Sequence, residues 1–243
     1  DFYLGEGCFV LRNINNNLNM YFVSKVVETV VGKRVYDADN QEPESTAEAV
    51  RIAINLAREY RKSSPDDKIA ISIGRGVSFL EIRMIRGALS KAGLLEAQER
   101  AFRYYSQGLA IDHRARFFEM IEARGRAHNR CRLAVVLDDA AESVDDLLWI
   151  EALLTRYRFL VVDLIANDAQ VSVNLSGRLL KTALENPMFA KLRTELHDRF
   201  NHVRCYCPLI SYQTRYLQSH VMAVLKLADV IFVKGANFFE TCE

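Results

Sequence analysis

The sequence predicts an α/β fold in which residues 130–243 form a parallel sheet with crossover helices, preceded by a mainly helical region, residues 1–129. Two patterns support this prediction. After residue 130, four short apolar runs alternate with segments of helical spacing, as in successive strand–helix–strand units. Before residue 130, most segments have helical spacing and carry many Arg and Glu residues. We therefore expect a helical N-terminal subdomain followed by an α/β core domain.

The N-terminal region contains three segments that are predicted to be helical. Residues 9–35 mix apolar positions with Asn-rich polar ones, and residues 95–128 contain one or two further helices. Residues 45–62 form a clear amphipathic pattern, which Ser45 or Thr46 can cap. These segments together predict the helical subdomain.

One segment of the N-terminal region has a different pattern. Residues 68–74 alternate like a strand, and Gly74 and Gly76 form a Gly-x-Gly pair before the next helical stretch. Such an order could bind a phosphate at a helix N-terminus, but the third glycine of a nucleotide-binding loop is missing. We interpret the pair as a tight turn, with a nucleotide site as the alternative.

The region after residue 130 contains the predicted sheet. The four apolar runs are residues 131–139, 158–168, 202–210 and 229–235. The helices between them are predicted over residues 143–157, residues 176–200 with a break at Pro187, and residues 214–228. Strands that alternate with helices in this way pair in parallel, because each helix returns the chain to the same edge of the sheet.

Composition and charge narrow the class of protein. The chain has 243 residues, half of them apolar, and a net charge of +1, so bulk electrostatics give no reason to expect nucleic acid or a membrane as a partner. No apolar stretch approaches the ~18 residues of a membrane span. The five cysteines include no C-x-x-C pair, which predicts free thiols in a reducing, cytoplasmic compartment. Because residue 1 is not Met, we expect both ends to be trimmed.

Polar residues follow three of the four predicted strands. They are Asp138 and Asp139 after the first run, Asn167 and Asp168 after the second, and Lys234 and Gly235 after the fourth. In an open parallel sheet, ligands bind beyond the carboxyl ends of the strands, which the sheet itself brings together. A single Asp at such a place is more often the N-cap of the next helix. The combination of three strand ends therefore favours a site.

Carboxylates combined with a lysine indicate phosphoryl chemistry. Asp138, Asp139 and Asp168 would repel one another unless a divalent cation joined them, and oxygen ligands favour Mg²⁺ or Mn²⁺. An ammonium group such as that of Lys234 is a good anchor for phosphate, and Gly235 lets backbone amides approach the same anion. The sequence therefore predicts a metal site that activates a phosphate ester. It leaves open whether water or a carboxylate is the nucleophile.

Other polar and aromatic side chains form no recognisable site. The histidines have no metal-ligand spacing with one another or with cysteine, so surface or satisfied polar roles are predicted for His113, His128, His197, His202 and His220. Trp149 lies on an apolar helix face and is predicted to be in the core. Asp163 lies inside the second run, where we interpret it as a structural residue.

Four segments resemble the metal-dependent damage-control phosphatases, a family once assigned as acidic-residue methyltransferases and also known as a domain of unknown function. VVLDDAAESVDDLL is similar to the family's DNAGE…DLL segment, and LIANDAQ to its second metal segment. ADVIFVKGANFFET is similar to the family's Lys-Gly signature, and GEGCFVLRNI to its entry segment, E-C-Y-x-Y-R. The four segments occur in the family's order and span nearly the whole chain, so their combination is more specific than any one of them.

The resemblance implies a three-layer α/β/α, Rossmann-like core and a divalent metal: Mn²⁺, Mg²⁺, Co²⁺ or Ni²⁺. It implies a phosphatase for a small phosphorylated metabolite, such as a sugar phosphate, in metabolite repair. It places the metal on Asp138, Asp139 and Asp168, and makes Asp138, Asp139 and Lys234 catalytic. The substrate and its phosphate would contact Glu6, Arg12, Asn167, Lys234, Gly235 and Asn237.

Departures from the family pattern leave two alternatives open. Asp139 stands where the family has Asn, Ala141 where it has Gly, and Asn237 comes one residue early. These differences favour a catalytically degenerate member that binds a metabolite or a partner. A methyltransferase is less favoured, because no glycine loop for S-adenosylmethionine follows a strand unless the Gly-x-Gly pair serves.

Overall fold

A parallel sheet forms the centre of the fold. The computed structural model describes residues 30, 41–60, 64, 68, 113–168, 175–205 and 218–233. The strands in this part of the chain are β1 (Cys131–Val136), β2 (Leu160–Asn167), β3 (Phe200–Cys205) and β4 (Val230–Val233). Their spatial order is β3-β2-β1-β4, and every pairing is parallel. The predicted α/β fold with a parallel sheet is therefore confirmed.

Helices alternate with the strands, as the sequence predicted. They are α1 (Gln41–Tyr60), α2 (Arg114–His128), α3 (Glu142–Arg156), α4 (Gly177–Glu185), α5 (Ala190–Thr194) and α6 (Ser219–Leu227). The predicted break at Pro187 is confirmed, because α4 ends before it and a short 3₁₀ turn follows, Pro187–Phe189. Asn186 caps that turn by accepting a hydrogen bond from the Met188 N–H at 3.0 Å.

The sheet separates two layers of helices. Successive residues of a strand point to opposite faces, so β1 and β2 contribute to two cores. The larger core includes α1, α3 and α4, and from the strands Leu133, Val135, Val162 and Leu164. The smaller core, under α6, consists of Ala134, Val136, Ile165, Val221 and Leu225. This is a three-layer, Rossmann-like arrangement.

Helix α3 is buried over almost its whole length, since residues 142–154 are all buried. The sheet lies on one side of it, and α1 packs against both α3 and α4. Helix α1 does this through Ala49, Ala53 and Ala57, which recur every four residues and so form one narrow face. The helix that begins beside Asp138 and Asp139 is thus held rigidly in the core.

Trp149 is part of this core, as predicted. Trp149 is 1% exposed. The centre of its ring system lies 6.1 Å from the ring centre of Phe117 on α2 and 4.7 Å from that of Phe232 on β4. Stacked and tilted aromatic pairs at such distances add to the free energy of burial. They tie α2 and α3 to the last strand of the sheet.

The carboxyl end of α3 is held by a single arginine. The Arg199 guanidinium donates hydrogen bonds to the carbonyl oxygens of Leu154 at 3.0 Å and Tyr157 at 2.9 Å. It also donates to the carbonyls of Arg158 and Leu160, at 3.2 and 3.4 Å. The final carbonyls of a helix lack partners within the helix, so these bonds fix the turn between α3 and β2.

A polar cluster lies near the amino end of the sheet. Arg132 on β1 forms two hydrogen bonds with the Asp163 carboxylate on β2, from Nε and from Nη2, the latter at 3.0 Å. Asn201 on β3 donates a further bond to Asp163 at 2.9 Å. The bond to Asp163 raises the pKa of Arg132 above its ordinary value. Asp163 is therefore a structural residue, as we interpreted it from the sequence.

Most of the N-terminal predictions fall outside the described residues. Val30 is helical, but the rest of residues 9–35 cannot be compared with the prediction. Lys68 is helical and its N–H donates to the Ser64 carbonyl, so the predicted strand is wrong at its first residue. Residues 69–76, which include the Gly-x-Gly pair, lie outside the described part. Among the described helices, none is long and apolar enough to cross a membrane.

Candidate functional site

The predicted polar residues after β1 and β2 lie at neighbouring strand ends. Val136 at the end of β1 pairs with Ile165 of β2, and the Leu137 N–H continues the ladder by donating to the Ile165 carbonyl at 3.0 Å. Asp138 follows Leu137 directly, and Asp168 follows the last residue of β2. The register of the sheet therefore brings these carboxylates to the same edge, as the sequence predicted.

A segment that returns to this edge packs along both strand ends. The Leu175 N–H donates to the Asp138 carbonyl at 2.7 Å, and Ser176 forms a parallel bridge with Asn167. The Ser176 hydroxyl then caps α4 by accepting a hydrogen bond from the Leu179 N–H at 3.3 Å. The N-terminus of α4, with its partial positive charge, is thereby fixed beside the two strand ends.

The first residue of α4 leaves space next to Asp168. A Cβ atom built on Gly177 would lie 3.7 Å from Asp168 Oδ1, 3.6 Å from the Asn167 carbonyl oxygen and 3.4 Å from His202 Cε1. These are ordinary van der Waals distances, so a methyl group would fit there and fill the gap. The glycine thus leaves a small space whose walls are a carboxylate, a carbonyl and an imidazole.

His202 is a residue of this region that the sequence analysis missed. It lies on β3, paired with Leu164, and its ring packs under the first turn of α4. The spacing of the histidines indicated no site, and no sequence signal could have found this one. Its place follows from the register of β3 against β2, which only the folded sheet defines.

The two neighbouring aspartates after β1 differ in their surroundings. Asp138 is half-buried. Asp139 is 6% exposed, and its Oδ1 accepts a hydrogen bond from the Ala141 N–H at 2.9 Å. The carbonyl of Asp139 accepts from the Ser143 N–H at 3.0 Å and from the Ser143 hydroxyl at 2.8 Å. These bonds form a turn immediately before α3, whose N-cap residue is Ala141 and whose N-cap makes no side-chain hydrogen bond.

The order of the strands defines a crevice beside β1. From β1 the chain proceeds through β2 to β3 on one side, whereas β4 lies on the other side of β1. Ligands of open α/β sheets bind at such topological switch points, beyond the carboxyl ends of the strands. Here the switch point lies between β1, which precedes Asp138, and β4, which ends at Val233.

Several predicted site residues lie outside the described part of the chain. They are Glu6, Arg12, Lys234, Gly235 and Asn237. Val233, which immediately precedes Lys234 in the sequence, pairs with Val136. Their roles remain predictions, as does the assignment of Asp138, Asp139 and Asp168 to a metal.

The carboxyl end of the sheet is rich in carboxylates. In addition to the strand-end residues, the first turns of α3 contribute Glu142, Asp145 and Asp146, all buried. Acidic residues in the first turns of a helix interact favourably with the helix dipole. Within the described residues, no group of three or more His, Cys, Asp or Glu side chains is arranged to hold a metal ion.

Comparison with known proteins gives a structural match. No family model matches the sequence, and no curated protein matches it. The crystal structure of a DUF89 family protein from Pyrococcus horikoshii, at 2.04 Å resolution, matches with a TM-score of 0.65 and 17% identity. The chain shares its fold with a DUF89 family protein.

The DUF89 match covers 88% of this chain and 66% of the P. horikoshii protein, so this chain spans less than two thirds of its neighbour's length. At 17% identity, the likeness shows the fold. DUF89 is the damage-control phosphatase family, the same group that the four sequence segments resemble. The structural neighbour therefore comes from the family that the four segments resemble.

Proposed function

We propose that this chain is a divalent-metal-dependent phosphatase that removes phosphate from a small phosphorylated metabolite, such as a sugar phosphate. The observation that carries the proposal is the strand order. It places the crevice of the sheet between the strand that precedes Asp138 and the strand that precedes Lys234 in the sequence. Asp138 and Lys234 follow, in the sequence, the two strands on either side of this crevice, which is where α/β proteins bind ligands.

The residues at the carboxyl end fit a hard divalent cation. Asp138 and Asp168 supply carboxylate oxygens from neighbouring strands, and both are half-buried, so solvent and ligands can reach them. Mg²⁺ and Mn²⁺ prefer oxygen ligands, and Mg²⁺ is commonly held by one or two carboxylates together with substrate phosphate. When bound there, such a cation supplies Lewis-acid polarisation of the phosphate ester.

The rest of the proposed site would bind the phosphate. Lys234 is assigned to the charge on the phosphate oxygens, and the amides that follow it, starting at Gly235, would donate hydrogen bonds to the same group. Glu6, Arg12 and Asn237 are assigned to the remainder of the substrate. These assignments come from the sequence motifs.

A second function is favoured by one observation. Asp139 stands where the family has Asn, and its carboxylate accepts a hydrogen bond from the start of α3. A site altered in this way could bind a phosphorylated metabolite without hydrolysing it. Binding of the metabolite by the protein, with no phosphate release at any metal concentration, would favour this degenerate member over the phosphatase.

Phosphate release from a panel of sugar phosphates tests the proposal. The protein should release phosphate with Mn²⁺ or Co²⁺ and lose this activity in EDTA. Asp138→Ala should lower the rate by more than about 100-fold, since even groups that merely orient a metal ligand contribute about 10–100-fold.

Asp198→Ala is the matched control, because Asp198 is an exposed carboxylate in the 3₁₀ turn His197–Arg199, remote from the carboxyl ends of the strands. Its rate should stay within about twofold of wild type, in line with the small effects of surface substitutions. Equal rates for Asp138→Ala and wild-type protein would refute the phosphatase proposal.

A further inference from the structure

We propose that Arg178, the second residue of α4, binds the phosphate group of the substrate at the carboxyl end of the sheet. The inference rests on the proposed function and adds a cationic group on the β2 side of the site, opposite the β4 side to which Lys234 is assigned. Three observations carry it: the position of α4, the exposure of the Arg178 side chain, and the order of the charges along this helix.

The start of α4 lies beside the carboxyl end of β2. Ser176, which caps α4, forms a bridge with Asn167, and a Cβ atom on Gly177 would lie 3.7 Å from Asp168 Oδ1. Consecutive Cα atoms are ~3.8 Å apart, so the Arg178 main chain lies directly next to that of Gly177. Arg178 therefore begins within one residue of a carboxylate that is assigned to the metal.

The Arg178 side chain is exposed, whereas the next two residues, Leu179 and Leu180, are buried in the larger core. In an α-helix the Cα–Cβ bonds tilt toward the N-terminus. Because Arg178 is in the first turn, no preceding turn lies under its side chain, and the guanidinium can extend past the start of the helix. That direction leads to the region beyond the strand ends, where α/β proteins bind ligands.

Among the residues that the structure describes, none forms an ion pair or a hydrogen bond with the Arg178 guanidinium. The hydroxyl of Thr182 donates to the Arg178 carbonyl at 3.1 Å, which is a contact of the main chain alone. The described residues thus leave the N–H donors of the guanidinium available to a ligand.

The charges along α4 oppose its dipole. Arg178 lies in the first turn, where a cation is unfavourable, and Glu185 is the last residue, where an anion is unfavourable. The first turn contains no acidic residue and the last turn no basic one. Residues that break a local rule of stability are expected at functional sites. A ligand therefore accounts for Arg178 better than the stability of α4 does.

A phosphate group fits this position. A guanidinium binds phosphate through two parallel N–H···O bonds, a geometry that a point charge cannot provide. The carboxylates of Asp138 and Asp168 repel a phosphate dianion, and a cation on α4 reduces this repulsion. With Lys234 assigned to the β4 side, a phosphate at the strand ends would contact a basic side chain from each side.

Steady-state kinetics test the proposal, with Mn²⁺ and the sugar phosphate that wild-type protein hydrolyses fastest. Arg178→Gln should raise KM at least about tenfold, because charged hydrogen bonds to phosphate are lost, and should leave kcat within about threefold. Lys181→Gln is the matched control, since Lys181 is exposed on the same helix about one turn further from its start. Its KM should stay within about twofold of wild type. An unchanged KM for Arg178→Gln, or an equal rise in both variants, would overturn the proposal.

Thermal unfolding separates a binding role from a structural one. Removing a cation from the first turn of a helix should stabilise it, so the Tm of Arg178→Gln should equal that of wild type or exceed it by up to about 3 °C. A Tm several degrees below that of wild type would show that Arg178 holds α4 in place, and would overturn the binding role.

Calorimetric titration with inorganic phosphate in the presence of Mg²⁺ distinguishes failure of this inference from failure of the proposed function. If wild-type protein binds phosphate but hydrolyses no sugar phosphate, the phosphatase proposal fails, and Arg178→Gln should still bind phosphate at least about tenfold more weakly. If wild-type protein is a phosphatase and Arg178→Gln has the same KM and the same Kd for phosphate, the phosphatase proposal stands and the role of Arg178 is wrong. If wild-type protein neither binds nor releases phosphate, both are wrong.

Discussion

The two ends of the parallel sheet use aspartate in different ways. Near the amino end, Asp163 is 1% exposed and is bound by the Arg132 guanidinium and the Asn201 amide. At the carboxyl end, Asp138 and Asp168 follow the strands and keep part of their surface accessible. Asp163 is thus buried and paired at the amino end, whereas Asp138 and Asp168 at the carboxyl end are partly exposed.

The direction of the helices explains this difference. In a parallel sheet with crossover helices, helix N-termini, which carry partial positive charge, face the carboxyl ends of the strands. Anionic side chains and ligands are favoured there without a basic partner from a neighbouring strand. Inside the sheet, a buried carboxylate needs such a partner, and Arg132 provides it for Asp163. Burial and the type of partner thus separate structural aspartates from candidate ligands.

The substitution with the largest expected effect on stability is at Asp163, near the amino end of the sheet. Asp163→Ala removes the partner of Arg132, leaves a guanidinium without its carboxylate and deprives Asn201 of its acceptor. Breaking a buried ion pair costs about 3–5 kcal/mol. Arg132 is 23% exposed and partly reached by water, so we expect about 3 kcal/mol, measured as the free energy of unfolding in urea.

The double variant Arg132→Leu/Asp163→Leu is the control. Replacing both charges by apolar groups is often neutral, so the double variant should recover most of the lost stability. If the double variant is as unstable as Asp163→Ala, the loss arises from packing rather than from the unpaired guanidinium. Affinity for Mn²⁺ should be unchanged in the folded protein, because the pair lies away from the carboxyl end.

At the carboxyl end of the sheet, we expect a substitution to change stability less and ligand affinity more. Gly177→Ala adds a methyl group 3.7 Å from Asp168 Oδ1, a distance that requires no shift. Unfolding free energy should change by less than about 1 kcal/mol, since Ala is the better helix former. On the proposed function, affinity for Mn²⁺ should fall about tenfold, because the methyl group takes space beside the carboxylate.

Calorimetric titration and urea unfolding of the same Gly177→Ala preparation separate the two quantities. Leu184→Ala is a useful comparison, since this side chain lies further along α4 and packs on the core. It should lower stability without a comparable loss of Mn²⁺ affinity. Loss of stability in Gly177→Ala with unchanged affinity would mean that the space beside Asp168 is structural.

The strands and their direction could be predicted from the sequence, but their order could not. Three of the four apolar runs contain an observed strand, because buried parallel strands are short and mostly apolar. The run over residues 202–210 only overlaps β3, which begins at Phe200, a residue predicted to be helical. The position of β4 beside β1 depends on the packing of α6 against the face formed by Ala134, Val136 and Ile165. No local pattern carries that information, and the switch point follows from it.

The candidate site was predicted in part for the same reason. Residues that follow strands, such as Asp138 and Asp168, were visible because strand ends converge in any parallel sheet. His202 was missed, since its closeness to Gly177 depends on the register between β2 and β3. The hydrogen bond that the Asp139 carboxylate accepts from the Ala141 N–H was not predicted, because a sequence shows neither burial nor the direction of a side chain.

The last prediction concerns the chemical accessibility of Cys131, at the amino end of β1. Burial, and then the nearby Asp229 charge, raise the pKa of the Cys131 thiol to about 11, against a smaller lowering by Arg124. A raised pKa keeps the thiol protonated as pH increases, so at pH 9 only about 1% would be thiolate, whereas an ordinary cysteine would be mostly ionised.

Alkylation of the Cys131 peptide at pH 9, followed by mass spectrometry, should be at least about 100-fold slower in folded protein than in urea, because burial also blocks access. Equal rates would show that the amino end of β1 opens readily, and the contrast between the two ends of the sheet would then be one of charge pairing alone.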